Sequence, residues 1–183
     1  MDHIPGLYSV TSSANTPASM PPALQRRNFE TWVATLDPLA LPTGWTGDPV
    51  DIRFGDQPYR FVLHGEAGIP TVQEDDPWTY VCTFPDGSRI QLFCRLVESA
   101  QQPFAPPSSG QQYRLDILSL PMSVAIDQHA TLPRYVAFIK GYLDERRDFE
   151  VYIQTGSAVH REQLIASIAT ISQVGATPTL DGG

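Results

Sequence analysis

Alternating hydrophobic and polar positions fill the middle of the chain and predict a series of β-strands. Residues 50–54 and 59–63 alternate on the two sides of a Gly-Asp-Gln-Pro turn, which is typical of a hairpin. Residues 113–117 alternate in the same way, and residues 134–143 and 149–155 flank a charged tip. Because successive side chains of a strand point to opposite faces, each alternating run predicts one buried face.

The strongest hairpin signal lies at residues 78–97, where two β-rich runs flank a Pro-Asp-Gly-Ser turn. This segment also contains both cysteines of the protein, Cys82 and Cys94. If Phe84 pairs with Arg89 across the turn, the cysteines have opposite parity and point to opposite faces of the sheet. A disulfide between them then requires a bulge or a shifted register. We therefore expect two free thiols, which suits a reducing cytoplasm.

Helical spacing of hydrophobic residues occurs near each end of the chain. From Phe29 to Leu36 they recur at i, i+3, i+4 and i+7, which predicts a helix that ends at Asp37 before a proline. A second helix is expected to begin at Ser157, a suitable N-cap residue, and to end at Gly175. We expect both helices to pack on the same face of the sheet.

These elements predict an α+β fold. An antiparallel sheet of about six to seven strands, built from successive hairpins, carries an N-terminal and a C-terminal amphipathic helix. Residues 1–20 and 176–183 lack periodicity, so we expect a flexible N-terminal arm and a flexible C-terminal tail around one domain over 21–175. Residues 65–77 are expected to form an acidic loop, and residues 121–133 have no clear assignment.

The negative charge of the chain indicates which class of partner it could bind. The formal net charge is −8, and residues 37–76 hold eight acids against two arginines, which leaves six negative charges there. Such a surface repels phosphate backbones and favours a basic protein partner, although solubility alone explains it too. The chain start has no basic and apolar leader pattern, and no apolar run is long enough to span a membrane. We therefore expect a cytoplasmic protein that binds neither nucleic acid nor membrane.

Catalytic and metal-binding motifs give little support to an enzyme. No phosphate-binding glycine loop, H-E-x-x-H or G-x-S-x-G occurs, so neither a cofactor nor a metal site is predicted. A mixed metal site could combine His64 with Glu66 and Asp75 or Asp76, but a solvent-facing histidine beside acids accounts for the same residues. An acid–base site would have to use His64 or His129 with a carboxylate.

The expected contact surface is the acidic segment that leads into the strongest hairpin. Three acids, Glu74, Asp75 and Asp76, precede the aromatic residues Trp78 and Tyr80. Protein interfaces favour aromatic anchors, and charges around them steer a partner of opposite sign. These five residues are therefore the predicted partner-binding site. The alternative is that Trp78 and Tyr80 pack on the sheet as ordinary strand residues.

Three classes of function remain open. The favoured class is a non-catalytic cytoplasmic protein-binding domain, such as a bacterial immunity protein or a secretion chaperone or adaptor, whose acidic surface binds a basic protein. The second class is a structural subunit of a larger phage or secretion particle. Such a protein could form a homo-oligomer, in which the two loose ends of each chain contact neighbouring copies. The third class is a small enzyme with a histidine and carboxylate site.

Overall fold

Strands dominate the computed structural model, which describes residues 22–41, 47–64, 66–97, 110–129 and 134–175. The expected arm over 1–20 and tail over 176–183 lie outside the described residues. The elements that the structure describes are α1 (Pro22–Val33), β1 (Asp37–Pro38), β2 (Pro49–Phe54), β3 (Gln57–Val62), β4 (Thr71–Asp76), β5 (Thr79–Thr83), β6 (Arg89–Leu96), β7 (Gln111–Ile117), β8 (Leu120–His129), β9 (Arg134–Tyr142), β10 (Arg147–Thr155), α2 (Ala158–Ala169) and β11 (Ser172–Gln173).

Two sheets share these strands. An eight-stranded sheet has the order β1-β7-β8-β9-β10-β6-β5-β4, and a three-stranded sheet has the order β11-β3-β2. The pairing of β1 with β7 is parallel, while the other pairings among the described strands are antiparallel. The predicted α+β fold with one antiparallel sheet of six to seven strands was therefore wrong. The described part of the chain is mostly β, with a mixed sheet and a second, smaller sheet.

The main core lies between the two sheets and is closed by α2. Phe54 and Phe61 of the small sheet are fully buried, as are Phe149 and Ile153 of the large sheet. Ile165 of α2 belongs to the same cluster. The large sheet therefore has an inner face, which packs on the small sheet and α2, and an outer face on the other side.

The first helix packs on the outer face. Phe29 and Val33 of α1 form a separate buried cluster with Tyr142 of β9, and the Phe29 and Tyr142 ring centroids are 5.6 Å apart. The preceding residue, Gly141, faces Met122 in the main core, because a Cβ on Gly141 would lie 2.5 Å from Met122 Cγ. Since neighbouring residues of a strand point to opposite faces, α1 and α2 cover opposite faces of the large sheet. The expectation that both helices share one face was wrong.

The second helix begins where the sequence predicted but ends earlier. Ser157 is its N-cap, and the Ser157 side chain accepts a hydrogen bond from His160 N at 3.3 Å. The helix ends at Ala169 rather than Gly175, because the following residues turn into β11 and pair with β3. No described helix combines the length and the apolar character needed to cross a membrane.

The β5–β6 hairpin has a register that differs by one residue from the expected one. Phe84 N donates to Ser88 O at 2.9 Å, so the turn contains three residues, and Gly87 adopts φ +83° within it. A three-residue turn that ends in a left-handed glycine is a common hairpin connection. Cys82 therefore faces Ile90, and Cys82 and Cys94 share the inner face, contrary to the expectation of opposite faces. The thiols are free because they lie four residues apart along the hairpin.

Candidate functional site

The acidic segment of the sequence forms β4, an edge strand of the large sheet. β4 pairs with β5 on one side only, and each of its six residues is exposed. The expectation of a loop over residues 65–77 was wrong for this part. Only Val72 is apolar within Thr71–Asp76, so a strand with no buried face leaves no alternating signal in the sequence.

The three acids of β4 are held at the end of the strand. Glu74 pairs with Tyr80 and Asp76 with Thr79, so Asp75 is an extra residue that forms a β-bulge. Asp76 Oδ1 accepts a hydrogen bond from Trp78 N at 2.7 Å. A charged, bulged edge of this kind resists uncontrolled pairing with other sheets. We call the three residues Glu74, Asp75 and Asp76 the acidic edge.

No ion pair neutralises the acidic edge within the described residues. Several acids elsewhere are paired with bases: Asp51 with Arg60 at 2.6 Å, for example, and Asp144 with Arg147 at 2.6 Å. Around the acidic edge, the hydrogen bond from Gln73 Nε2 to Asp75 Oδ1 at 2.8 Å involves a neutral amide. Adjacent carboxylates repel each other, and a cationic partner relieves this repulsion.

Tyr80 supports the acidic edge from the inner face. Its side chain is 5% exposed, and its hydroxyl donates to Arg53 O at 2.8 Å and accepts from Arg53 N at 3.1 Å. These two bonds tie β5 of the large sheet to β2 of the small sheet. Burial raises the pKa of Tyr80, and the nearby carboxylate of Glu74 acts in the same direction. Tyr80 therefore fixes the strand that carries β4, while its ring lies in the core.

Trp78 occupies the junction between the acidic edge and the small sheet. Its side chain is half-buried, and a Cβ on Gly55 would lie 2.7 Å from its Cη2 atom. Gly55 has φ +59° at the tip of the β2–β3 hairpin, so a larger residue there is strained and would also collide with the indole. Trp78 therefore packs its ring against the hairpin tip and leaves part of its surface accessible.

A shallow groove of about 520 Å³ runs along the outer face beside Trp78. Thr79, Phe93 and Glu150 lie side by side across β5, β6 and β10 and form its floor. Asp76 belongs to its lining, so the groove is continuous with the acidic edge. Leu96 at the groove is 45% exposed, which leaves an apolar contact surface next to charged residues.

The charges around Glu150 on the groove floor are paired, unlike those of the acidic edge. Glu150 is 7% exposed and contacts Arg95 at 2.6 Å and Lys140 at 2.9 Å. Arg95 also contacts Asp148 at 3.1 Å, and burial raises the pKa of Asp148. Buried carboxylates that are paired in this way have their charge compensated. The uncompensated charge next to the groove is that of the acidic edge.

The wider acidic region over residues 37–76 does not form one surface. Asp37 lies in β1 and the acidic edge in β4, at opposite edges of the large sheet and about 34 Å apart at the usual strand spacing. Asp51 lies on the small sheet, where Arg60 lowers its pKa by a hydrogen bond. The acidic edge is thus the part of this region in which consecutive acids share one strand.

Ser88, His160 and Asp86 meet at the tip of the β5–β6 hairpin, and sequence reasoning missed this group. His160 Nδ1 lies 2.9 Å from Asp86 Oδ2 and 3.2 Å from Ser88 Oγ, which itself donates to Asp86 Oδ2 at 2.9 Å. A serine hydrolase uses both ring nitrogens, one for the carboxylate and the other for the hydroxyl. Here both groups face Nδ1, and Nε2 is buried without a hydrogen-bond partner. These hydrogen bonds join the tip of the β5–β6 hairpin to the start of α2, and we call Asp86, Ser88 and His160 the clamp.

The other candidate chemical groups do not converge either. His64 N donates to Ser167 Oγ, and the described residues contain no group of three or more His, Cys, Asp or Glu placed to hold a metal ion. The side chain of His129 lies outside the described part of the chain. Burial raises the pKa of Cys82 and of Cys94 to about 12, so these thiols are poor nucleophiles.

Comparison of the chain with models of protein families, with curated proteins and with solved structures gives no match.

Proposed function

We propose that this protein is a non-catalytic protein-binding domain whose acidic edge binds a basic protein. The observation that carries the proposal is the position of Glu74, Asp75 and Asp76: they lie without ion-pair partners, among the described residues, on an exposed strand at a free sheet edge. Charges of one sign at an interface steer association and select the sign of the partner. The adjoining groove with Trp78 and Phe93 supplies the apolar contact that such an interface needs.

Bacterial immunity proteins that neutralise a basic toxin, and secretion chaperones or adaptors, belong to this proposed class. Two buried free thiols support a location in the reducing cytoplasm, where disulfides are rare. An acidic edge supports a protein partner rather than a nucleic acid, because phosphates carry the same charge as the carboxylates.

The proposal is tested with two variants of equal net charge. The edge variant removes the acidic edge with Glu74→Gln, Asp75→Asn and Asp76→Asn, which keeps the side-chain shapes. The surface variant removes three exposed acids elsewhere with Asp37→Asn, Asp48→Asn and Glu145→Gln. The wild-type protein and both variants are immobilised, and basic proteins captured from a cell extract are quantified by mass spectrometry.

We expect the edge variant to retain about tenfold less of the captured basic partner than the wild type. The surface variant should retain nearly as much as the wild type, because its lost charges lie away from the acidic edge. Equal retention by the two variants would mean that net charge alone attracts basic proteins, and the proposed function would fail.

A further inference from the structure

The hydrogen-bond pattern of the β5–β6 hairpin determines which backbone groups of β5 point away from β6. Phe84 N donates to Ser88 O and Cys94 N donates to Trp78 O, both at 2.9 Å. Residues that exchange hydrogen bonds across an antiparallel pair alternate with residues that do not. The even-numbered residues of β5 therefore bond to β6, and its odd-numbered residues point towards β4.

The same alternation leaves part of the β4 backbone unpaired. Thr71 and Gln73 face the odd-numbered residues of β5 and bond to them, so Val72 and Glu74 point their N–H and C=O groups outwards. No described residue forms a backbone hydrogen bond with these outward groups. β4 thus presents two donors and two acceptors in the spacing of a strand, which is the arrangement that an added strand uses.

Side chains next to this open backbone select the charge of an added strand. Glu74, Asp75 and Asp76 lie at one end of β4, and they have no ion-pair partner among the described residues. Near the other end, Val72 is 40% exposed and Ile69 is 72% exposed. An added strand with basic residues opposite the acids and an apolar residue opposite Val72 satisfies both ends.

The remaining segments of this chain do not supply such a strand. All twelve lysine and arginine residues lie within the described ranges, so the segments outside them contain none. A second copy of the chain is also less suited, because β4 contains no basic residue to place opposite the acids and both molecules would carry a net charge of −8. Charge complementarity therefore favours a partner other than this chain.

We propose that an extended basic segment of another protein adds to the large sheet as a further strand, paired with the outward backbone groups of Val72 and Glu74. This inference rests on the proposed function and specifies the partner segment and its mode of binding. Backbone hydrogen bonds to β4 provide affinity, and the acidic edge provides the preference for arginine and lysine.

The test separates backbone pairing from charge attraction. The probe is a short blocked peptide of alternating arginine and valine, and its control has the same side chains with N-methylated backbone amides, which cannot pair with a strand. In the protein, Val72→Pro removes one outward N–H group without touching the bonds to β5, and Val72→Thr is the matched control that keeps this group. Affinities are measured by calorimetry, and amide exchange of the wild type is followed by NMR.

We expect N-methylation of the peptide and Val72→Pro each to weaken binding about tenfold, whereas Val72→Thr has little effect. In the wild type, the peptide should slow exchange of the Val72 and Glu74 amides, while those of Thr71 and Gln73 are protected before it is added. The methylated peptide and the exchange measurement use the wild-type protein, so they decide the question even if Val72→Pro does not fold.

Three results would overturn strand addition. The first is equal binding of the two peptides together with weak binding by the edge variant, which would retain the proposed function but assign binding to side chains alone. The second is no detectable binding of the unmethylated peptide. The third is a dimer, detected by light scattering and abolished by Val72→Pro, since a second copy would then occupy β4. If the edge variant binds the peptide as tightly as the surface variant, the proposed function itself fails.

Discussion

At the level of single residues, burial changes the chemistry of the two thiols most. It raises the pKa of Cys82 and of Cys94 to about 12, so almost no thiolate is present at pH 8. We expect the folded protein to resist a thiol reagent such as Ellman's reagent at pH 8 and the protein in urea to react at both cysteines. Rapid labelling of the folded protein would contradict the burial of these thiols.

Tyr80 offers a second residue-level test. Tyr80→Phe removes the two hydrogen bonds that the hydroxyl forms with the backbone of Arg53. We expect a loss of about 1–2 kcal/mol in the free energy of unfolding, measured by urea denaturation. Binding of a basic partner should be unchanged, because the ring lies in the core. A large loss of binding by a folded Tyr80→Phe protein would place the hydroxyl in the contact surface.

At the level of elements, the β7–β8 hairpin has a turn whose residues are not the ones typical of that turn type. Ile117 pairs with Leu120 around Leu118 and Ser119, which adopt φ +52° and +61°. Two such residues form a tight turn that strongly favours Asn-Gly over Leu-Ser. Without this signature, residues 121–133 could not be assigned from the sequence, although most of them belong to β8.

The same turn predicts the outcome of two substitutions at one exposed position. Ser119→Gly suits a positive φ, whereas Ser119→Val places a β-branched side chain in a conformation that it rarely adopts. We expect the glycine variant to be at least as stable as the wild type and the valine variant to be about 1 kcal/mol less stable. Thermal unfolding of the three proteins measures the difference, and a valine variant as stable as the glycine variant would exclude this turn.

The clamp of Asp86, Ser88 and His160 makes the contact between the β5–β6 hairpin and α2 sensitive to acid. Burial raises the pKa of Asp86, but the hydrogen bonds from Ser88 and the interaction with His160 outweigh it, and the net pKa is lowered. A lowered pKa means that ionised Asp86 stabilises the fold above the unfolded value of about 3.9. This stabilisation disappears as the pH falls through the lower pKa of the folded state.

The corresponding measurement compares Asp86→Asn with the wild type by urea unfolding across pH. We expect the variant to be less stable at pH 7 and the difference to shrink below about pH 3.9, where the carboxyl of the unfolded chain takes up a proton before that of the folded protein does. A constant difference from pH 7 to pH 3 would show that the charge of Asp86 does not contribute.

For the whole molecule, the sequence predicts those strands that have at least one buried face. The β2–β3 hairpin agrees with the alternating pattern, because its inward positions are hydrophobic. The β9–β10 hairpin was predicted from two hydrophobic runs around a charged tip, and both of its strands are buried on both faces. β4 was missed since all of its residues are exposed, and β1 and β11 are too short to alternate. The division into two sheets, and the placement of α1 and α2 on opposite faces, depend on pairings between distant residues. Local periodicity contains no information on such pairings.

The candidate site was predictable to the same extent. The sequence placed Glu74, Asp75 and Asp76 next to each other, but it did not indicate that they lie on a strand at the edge of a sheet. The sequence also did not indicate where the two aromatic side chains lie. Trp78 packs beside the tip of the β2–β3 hairpin, and Tyr80 lies in the core. The position of β4 at the edge follows from long-range pairing of β6 with β10, which local patterns do not determine.

Hydrogen exchange of the protein bound to its captured basic partner, read by mass spectrometry, tests the central claim most directly. We expect binding to slow exchange in Thr71–Asp76, where outward amides are open in the free protein, and to leave β7, near the opposite edge of the sheet, unchanged. Slowed exchange in β7, with unchanged exchange in Thr71–Asp76, would contradict the assignment of the binding surface to the acidic edge.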